Sequence, residues 1–226
     1  MNRSKGDMYD WVTHTWNPLG GKCPHDCSYC YVESMNQPAV VEKYTGEPRL
    51  DAVAMRDNLG VGNTIFVCNM TDLFAWGVPE SAVDAILKKC RENRDNIYVF
   101  QTKNTYQMRG WKEKLPSKSI LGTTVETNRD SPSRAPCPKE RMKYLFRKND
   151  GQTFVTVEPI LAFDPDEMIE LLDHGDSFIN IGADSCGNMM DEPVKKDVEE
   201  LIRELRRIGY DVRIKANLIK RYGGSL

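Results

Sequence analysis

The chain has 226 residues, with 31 Lys and Arg against 33 Asp and Glu, for a formal net charge of −2. That length suits one domain with a sizeable core, and that balance gives the whole molecule no bias toward nucleic acid, leaving only a local basic patch to consider. Apolar residues make up 40% and charged residues 28%, a soluble globular mix, and no apolar run approaches the roughly 20 residues of a membrane span.

The polar start, residues 1–7, has no signal-peptide core, so the expectation is a cytoplasmic protein without membrane contact. Residues 11–17 read as the first strand, with Trp11, Val12 and Trp16 apolar. A loop over 18–33 follows and carries Cys23, Cys27 and Cys30. Leu50, Val53, Ala54 and Leu59 share one helical face, which predicts a helix over 48–59. The β-branched run 64–68 predicts a buried strand, and the stretch after Pro79 a helix to Asn93. Further strands are predicted over 97–100, 119–125, 153–157, 177–182 and 211–215. Helices are predicted over 105–114, 139–148, 165–173 and 192–207, with Val194, Val198, Leu201, Ile202 and Leu205 of the last turned inward. His174 reads as a helix C-terminus, where a cation suits the dipole, and 220–224 as a tail or closing segment.

Strands alternating with helices at this spacing build βαβ units and a mainly parallel sheet. A closed eight-fold barrel takes roughly 250 residues. The predicted architecture is therefore α/β, a partial parallel (βα)6-type barrel, in a single domain spanning 1–226. Ligands of such folds bind at the C-terminal ends of the strands. Those ends carry Asn69 and Asp72, Thr102 and Lys103, Glu126 and Asn128, Glu158, Asp184, Ser185 and Cys186, and Lys215 and Asn217.

Cys23-Pro24-His25-Asp26-Cys27-Ser28-Tyr29-Cys30 sets three thiols in CxxxCxxC spacing. Seven cysteines, an odd number with three clustered, favour metal binding over disulfides in a reducing compartment. Three close thiolates can bind one soft metal centre. Structural zinc takes four closed ligands, and a [4Fe–4S] cluster normally takes four cysteines. Three would leave one iron open to a substrate or cofactor.

This motif, with aromatic Tyr29 before its last cysteine, resembles the signature of the radical SAM enzymes. Thr15-Trp16-Asn17-Pro18 ahead of it and Cys30-Tyr31 at its end resemble a TWNP-containing group of phage and microbial radical SAM proteins, and spore photoproduct lyase-like proteins. The first cysteine gap is more compact here than is common in the TWNP group. The resemblance implies a partial barrel and a [4Fe–4S] cluster on Cys23, Cys27 and Cys30. It implies S-adenosylmethionine (SAM) on the open iron, cleaved reductively to a 5′-deoxyadenosyl radical that abstracts hydrogen. A one-electron donor of flavodoxin or ferredoxin type follows from that chemistry.

The resemblance also assigns residues. Asn69, Thr71 and Asp72 fall where the family holds the SAM amino group, although the usual Gly-Gly-Glu is absent. Tyr29 falls beside adenine. Glu126, with Thr124 as alternate, is placed for the ribose hydroxyls, and Arg129 or Arg134 for the SAM carboxylate.

Glu158 ends an apolar strand, so it is either a site carboxylate or the partner of Lys103 or Lys215. Cys137 and Cys186, on loops near the strand ends, are candidate hydrogen-donating thiols, or ligands of a second cluster. Cys90 reads as packed in a helix, and His25 as loop filler. The basic stretch 129–148, with Tyr144 and Phe146, is either a solvated helix face or a nucleic-acid contact. Competing readings are a non-radical Fe–S or zinc protein with structural or redox cysteines, and a metal-stapled nucleic-acid-binding module.

Overall fold

Short β-branched and aromatic runs, each followed by polar turn residues and then an amphipathic stretch, set the order of elements. A computed structural model describes all residues except 7, 131, 150, 174, 176, 188–190, 225 and 226. His174 therefore lies outside the described residues. The strands are β1 Asn2–Arg3, β2 His14–Trp16, β3 Leu19–Gly20, β4 Arg49–Leu50, β5 Thr64–Val67, β6 Ile97–Gln101, β7 Ser119–Thr124, β8 Thr153–Val157, β9 Ser177–Ile181 and β10 Val212–Ile214. The helices are α1 Pro38–Lys43, α2 Glu80–Glu92, α3 Thr105–Gly110, α4 Pro138–Tyr144, α5 Pro165–Leu172, α6 Lys195–Arg207 and α7 Ala216–Tyr222.

Eight strands form one sheet in the order β1-β2-β5-β6-β7-β8-β9-β10, while β3 and β4 pair separately. β1 is antiparallel to β2, and every later neighbour in the large sheet is parallel. The mainly parallel α/β class thus matches the expectation. The described sheet is open, with β1 and β10 at its edges, and does not close into a barrel.

Side chains alternate across each strand, so the sheet has two distinct faces. On one face Val67, Phe100, Leu121, Val155 and Ile181 pack against Val83, Leu87, Met142, Met168 and Leu201 of the helices. On the other, Phe66, Val99, Phe154 and Phe178 pack against Tyr9 and Val12. The Tyr9 and Trp11 rings stack with centroids 5.2 Å apart, and Trp11 meets Phe178 edge-on at 5.5 Å. Further along the strands this inner face turns polar. The Tyr9 hydroxyl donates to Gln101 Oε1 at 2.8 Å and lies 2.6 Å from the Thr156 hydroxyl, while Gln101 Nε2 donates to Thr124 Oγ1 at 2.8 Å. The sheet thus has an apolar inner floor and a polar upper wall.

Several local expectations differ from the structure; Val194, expected inward, is exposed just ahead of α6, and the helix predicted over 105–114 ends at Gly110. The predicted helix over 48–59 is β4 and a 3-10 turn, Ala54–Arg56. Of its supposed buried face, Leu50 and Val53 are exposed, while Leu59 is buried. Asp51 instead accepts from the Val53 and Ala54 N–H groups and pairs with Lys43 at 2.6 Å. The helix predicted to 148 stops at Tyr144, and Lys148 turns inward to donate to the Lys112 carbonyl at 2.6 Å. Trp11 and Val12 precede the first parallel strand and fill the inner floor. Residues 216–222, partly read as a tail, form α7, which buries Leu218. No described helix is long and apolar enough to cross a membrane.

Gly122 sits in β7 against the Phe154 ring, and a β-carbon there would come within 2.3 Å of that ring. Gly122→Ala is expected to destabilise the fold by roughly 1–3 kcal/mol through overpacking. Urea unfolding should show a lower midpoint with an unchanged slope.

Candidate functional site

The cysteine loop leaves β2 at the C-terminal edge of the sheet. The edge is tied by Asn17, whose Nδ2 donates to Asn69 Oδ1 at 2.8 Å. Tyr31 closes the same corner, its hydroxyl donating to the Asn69 carbonyl at 2.7 Å. Thr71 Oγ1 donates to the Gly21 carbonyl at 2.9 Å, and Gly21, at φ 90°, passes so near Glu47 that no side chain fits. Residues 132–134 lie over the cysteine loop: Ser28 N–H donates to the Pro132 carbonyl at 3.0 Å and Arg134 N–H to the His25 carbonyl at 2.7 Å.

Cys23, Cys27 and Cys30 line one cavity of about 290 Å³, together with Met70 and, from α1 and the turn after it, Val40, Val41 and Tyr44. All three thiols are free and half-buried. Burial pushes the Cys23 thiol up to about 12 and raises that of Cys30. A bound metal cation reverses that preference, because it takes the thiolate form. Among the described residues no three His, Cys, Asp or Glu side chains converge on a single ion-sized point. A cluster asks for a different layout, with each thiolate on its own iron around a shared volume. The donor set and the shared cavity suit such a group.

His25 is the first residue that local sequence reading undervalued. It is buried, and its Nε2 lies 2.9 Å from Asp72 Oδ2. The same oxygen accepts from Thr102 Oγ1 at 2.9 Å and from the Lys103 N–H at 2.8 Å, while Asp72 Oδ1 accepts from the Phe74 N–H at 2.9 Å. Burial works to raise the Asp72 carboxyl, but His25 and these donors hold it below the usual carboxylate range. His25 is therefore not loop filler. Asp72, expected at the SAM ammonium, uses Oδ2 to tie the cysteine loop to the residues after β6 and Oδ1 to hold its own turn through the Phe74 N–H. Thr71 does the same through Gly21.

Glu126 is also differently engaged. It has no exposure, as has Arg141, whose Nη1 donates to Glu126 Oε2 at 2.8 Å and to the Thr124 carbonyl at 2.9 Å. Lys103 Nζ stands 3.6 Å from Glu126 Oε1, and the Tyr29 hydroxyl donates to that same oxygen. Burial opposes the charged form of Glu126, yet Lys103 and Arg141 hold its carboxyl below the ordinary range. Burial and the adjoining Glu126 push the Tyr29 phenol well up, so it remains a donor. Lys103 Nζ also lies 5.4 Å from the Tyr29 ring centre. Glu126 is thus saturated by protein groups and does not face open space for a ribose.

A second network lies at the ends of β8 to β10. Of the two lysines expected near Glu158, Lys215 is its partner at 2.5 Å, and Asn217 Nδ2 donates to the other oxygen at 2.7 Å. Asn217 Nδ2 also reaches Ser185 Oγ at 2.8 Å. Asn180, on the inner face, has a buried side-chain nitrogen without a partner among the described residues. Such a donor is costly unless water or a ligand meets it. Its sequence signal was a lone amide inside the apolar run 178–181.

The remaining candidates divide. Cys186 is exposed, with Sγ 3.7 Å from Ser34 Oγ, so β9 and the exit of the cysteine loop meet there. Cys137 is exposed and precedes α4. Cys68 and Cys90 are buried in the helix-side core. Arg129 forks onto Asp164 at 2.7 and 3.0 Å on the surface, away from its expected carboxylate role. Arg134 pairs with Asp26 at 3.4 Å. The basic stretch is not one charged face, since Arg141 and Lys148 are buried while Lys139 and Lys143 are exposed.

A family model described as "Protein of unknown function (DUF5131)" matches residues 7–205. Among curated proteins none matches. Among solved structures, the chain is similar to a spore photoproduct lyase mutant with bound AdoMet and dinucleoside spore photoproduct. The TM-score is 0.63 at 10% identity, covering 92% of this chain and 78% of that one. A spore photoproduct lyase complexed with dinucleoside spore photoproduct gives 0.60 at 11% identity, over 87% and 74%. At such identity the likeness carries the fold alone.

Removing one partner of the buried Glu126–Arg141 pair strands a charge, so Arg141→Ala is expected to cost roughly 3–5 kcal/mol. Arg129→Ala, at an exposed, solvent-screened pair, should leave stability nearly unchanged. Denaturant titration of both variants distinguishes them. Because the folded Glu126 pKa is depressed, its contribution is present above the unfolded value of about 4.3 and is lost as pH falls through the folded value. The stability gap between wild type and Glu126→Gln should therefore narrow on acidification.

Proposed function

We propose that this chain, which belongs to the DUF5131 family, is a radical SAM enzyme. The observation that carries the reading is the shared cavity of Cys23, Cys27 and Cys30 at the C-terminal edge of a parallel sheet with the fold of spore photoproduct lyase, itself a radical SAM enzyme. The three thiolates would hold a [4Fe–4S] cluster and leave one iron for SAM. That pair supplies, on one-electron reduction, a 5′-deoxyadenosyl radical able to abstract hydrogen.

The chain's own residues bind, orient and shield. His25 and Asp72 fix the first cysteine gap, and Tyr29 on Glu126 fixes the second. Asn69, held by Asn17 and Tyr31, presents the end of β5 to the SAM side. Lys103, at 3.6 Å from Glu126 and facing Tyr29, takes the cationic role the resemblance gave to Arg129. Thr124 lies on the polar inner wall. Glu158, with Lys215 and Asn217, lines the mouth on the far side. Of the two candidate thiols, Cys186 stands beside the loop exit and is the better placed to return a hydrogen atom to a substrate radical. The resulting thiyl takes one electron from the external flavodoxin- or ferredoxin-type donor and, being exposed, one proton from solvent. The dinucleoside ligand of the similar structures favours a nucleotide or nucleic-acid substrate.

Anaerobic reconstitution should give about four iron and four sulfide per chain. Reduced protein with SAM should release 5′-deoxyadenosine, and Cys23→Ala, Cys27→Ala or Cys30→Ala should abolish both results. Cys186→Ala should retain 5′-deoxyadenosine release. Stoichiometric zinc without iron in anaerobically purified protein would overturn the reading.

A further inference from the structure

A second cavity, of about 340 Å³, opens at the opposite edge of the sheet. It lies between the C-terminal end of α2 and the segments that enter β6, β7 and β8. The strands in between, five residues long in β6 and β8, put roughly 17 Å between it and the cysteine-loop edge.

Its lining brings together Arg91, Arg94, Lys118 and Lys148 from three separate segments, and includes no carboxylate among the described residues. Lys148 is only 9% exposed, and its Nζ donates to a neutral carbonyl, that of Lys112, at 2.6 Å. Arg91 likewise donates to the Lys114 carbonyl. Carbonyls fix these side chains in place without cancelling their charge; the Asp84 carboxylate, whose pKa Lys114 and then Arg91 help to lower, pairs with Lys114 outside the lining. Arg94 and Lys118 are exposed and enter no ion pair among the described residues. Asn96 adds no acceptor to the cavity, because Asn63 N–H occupies its oxygen at 2.9 Å and its amide donates to the Gly60 carbonyl at 3.0 Å.

A nearly buried ammonium without a counter-charge is unfavourable, and four cations around one hollow repel each other. In a chain of net charge −2, that arrangement is a local field built by the fold. A multivalent anion relieves it. The volume lies within the range of small-ligand pockets. Guanidinium forks match phosphate oxygens, and lysines add point charges. We propose that this cavity binds a small anion carrying two or more phosphates, either the phosphate chain of a nucleotide or free pyrophosphate. The site is separate from the cysteine cavity and stands whether or not the radical reading holds.

Calorimetric titration of the full chain with inorganic pyrophosphate and with ATP tests this, with adenosine as control. Pyrophosphate and ATP should both bind, weakening as salt rises, and adenosine should not. ATP binding much more tightly than pyrophosphate would point to a nucleotide, and equal affinity to the free anion. Arg94→Glu and Lys118→Glu should each weaken binding by roughly tenfold. Arg94→Gln/Lys118→Gln, which adds no new charge, should weaken it also, with thermal unfolding unchanged. Neither phosphate probe binding to wild type, or binding unmoved by these substitutions, would overturn the proposal. So would a single-stranded oligonucleotide binding there when pyrophosphate does not.

Discussion

The carboxylate of Glu126 is the constraint from which the candidate site takes its shape. A fully buried carboxylate is tolerable only if opposite charges and donors replace the water it loses. Here they come from three directions: Arg141 on α4, Lys103 at the end of β6, and Tyr29 in the cysteine loop. Tyr29 immediately precedes Cys30. The position of one thiol is thereby coupled to the packing of a strand end and a helix. Arg141 extends the coupling, because its Nε donates to the Pro136 carbonyl at 2.6 Å and so holds the loop that covers the cysteines.

His25 and Asp72 do the equivalent work on the other side of Cys27. Two buried polar clusters, one per cysteine gap, make the loop an outgrowth of β5, β6 and β7 instead of a loose excursion. Rigid support of this kind is what a site needs if its ligands are to stay at fixed separation. Beyond it the strand ends carry two carboxylate–lysine pairs, Glu126 with Lys103 after β7 and β6, and Glu158 with Lys215 after β8 and β10.

Much of this was legible in the sequence. Strands such as 153–157 and 177–181 announce themselves by continuous apolar runs, because a parallel strand is covered on both faces. The cysteine spacing gave the candidate ligands directly. What could not be read was which polar residue satisfies which. Asp72, Glu126 and Arg129 all lie at strand ends or in the loops after them, as ligand-binding residues do, yet each is claimed by a partner at least 30 residues distant in sequence: His25, Tyr29 and Asp164. Arg141 looked like one of a run of surface cations because neighbours in sequence hide the difference between the two sides of a short helix. The 48–59 segment misled for a related reason: its apolar spacing fits a helix, but Asp51 offers the backbone a local turn instead.

The aromatic floor of the sheet also bears on how the chain is made. Tyr9 and Trp11 pack against Phe154 and Phe178, more than 140 residues later in sequence. On the ribosome the earliest aromatic residues emerge with no surface to receive them. β2, β5 and β6 can pair as they appear, but the floor on which they rest cannot close until β8 and β9 have been synthesised. At about 5–20 residues per second, that leaves Tyr9 and Trp11 without Phe154 and Phe178 for several seconds. During that interval the growing sheet presents Phe66 and Val99 to solvent or to a chaperone, and assembly of the inner face is a late event.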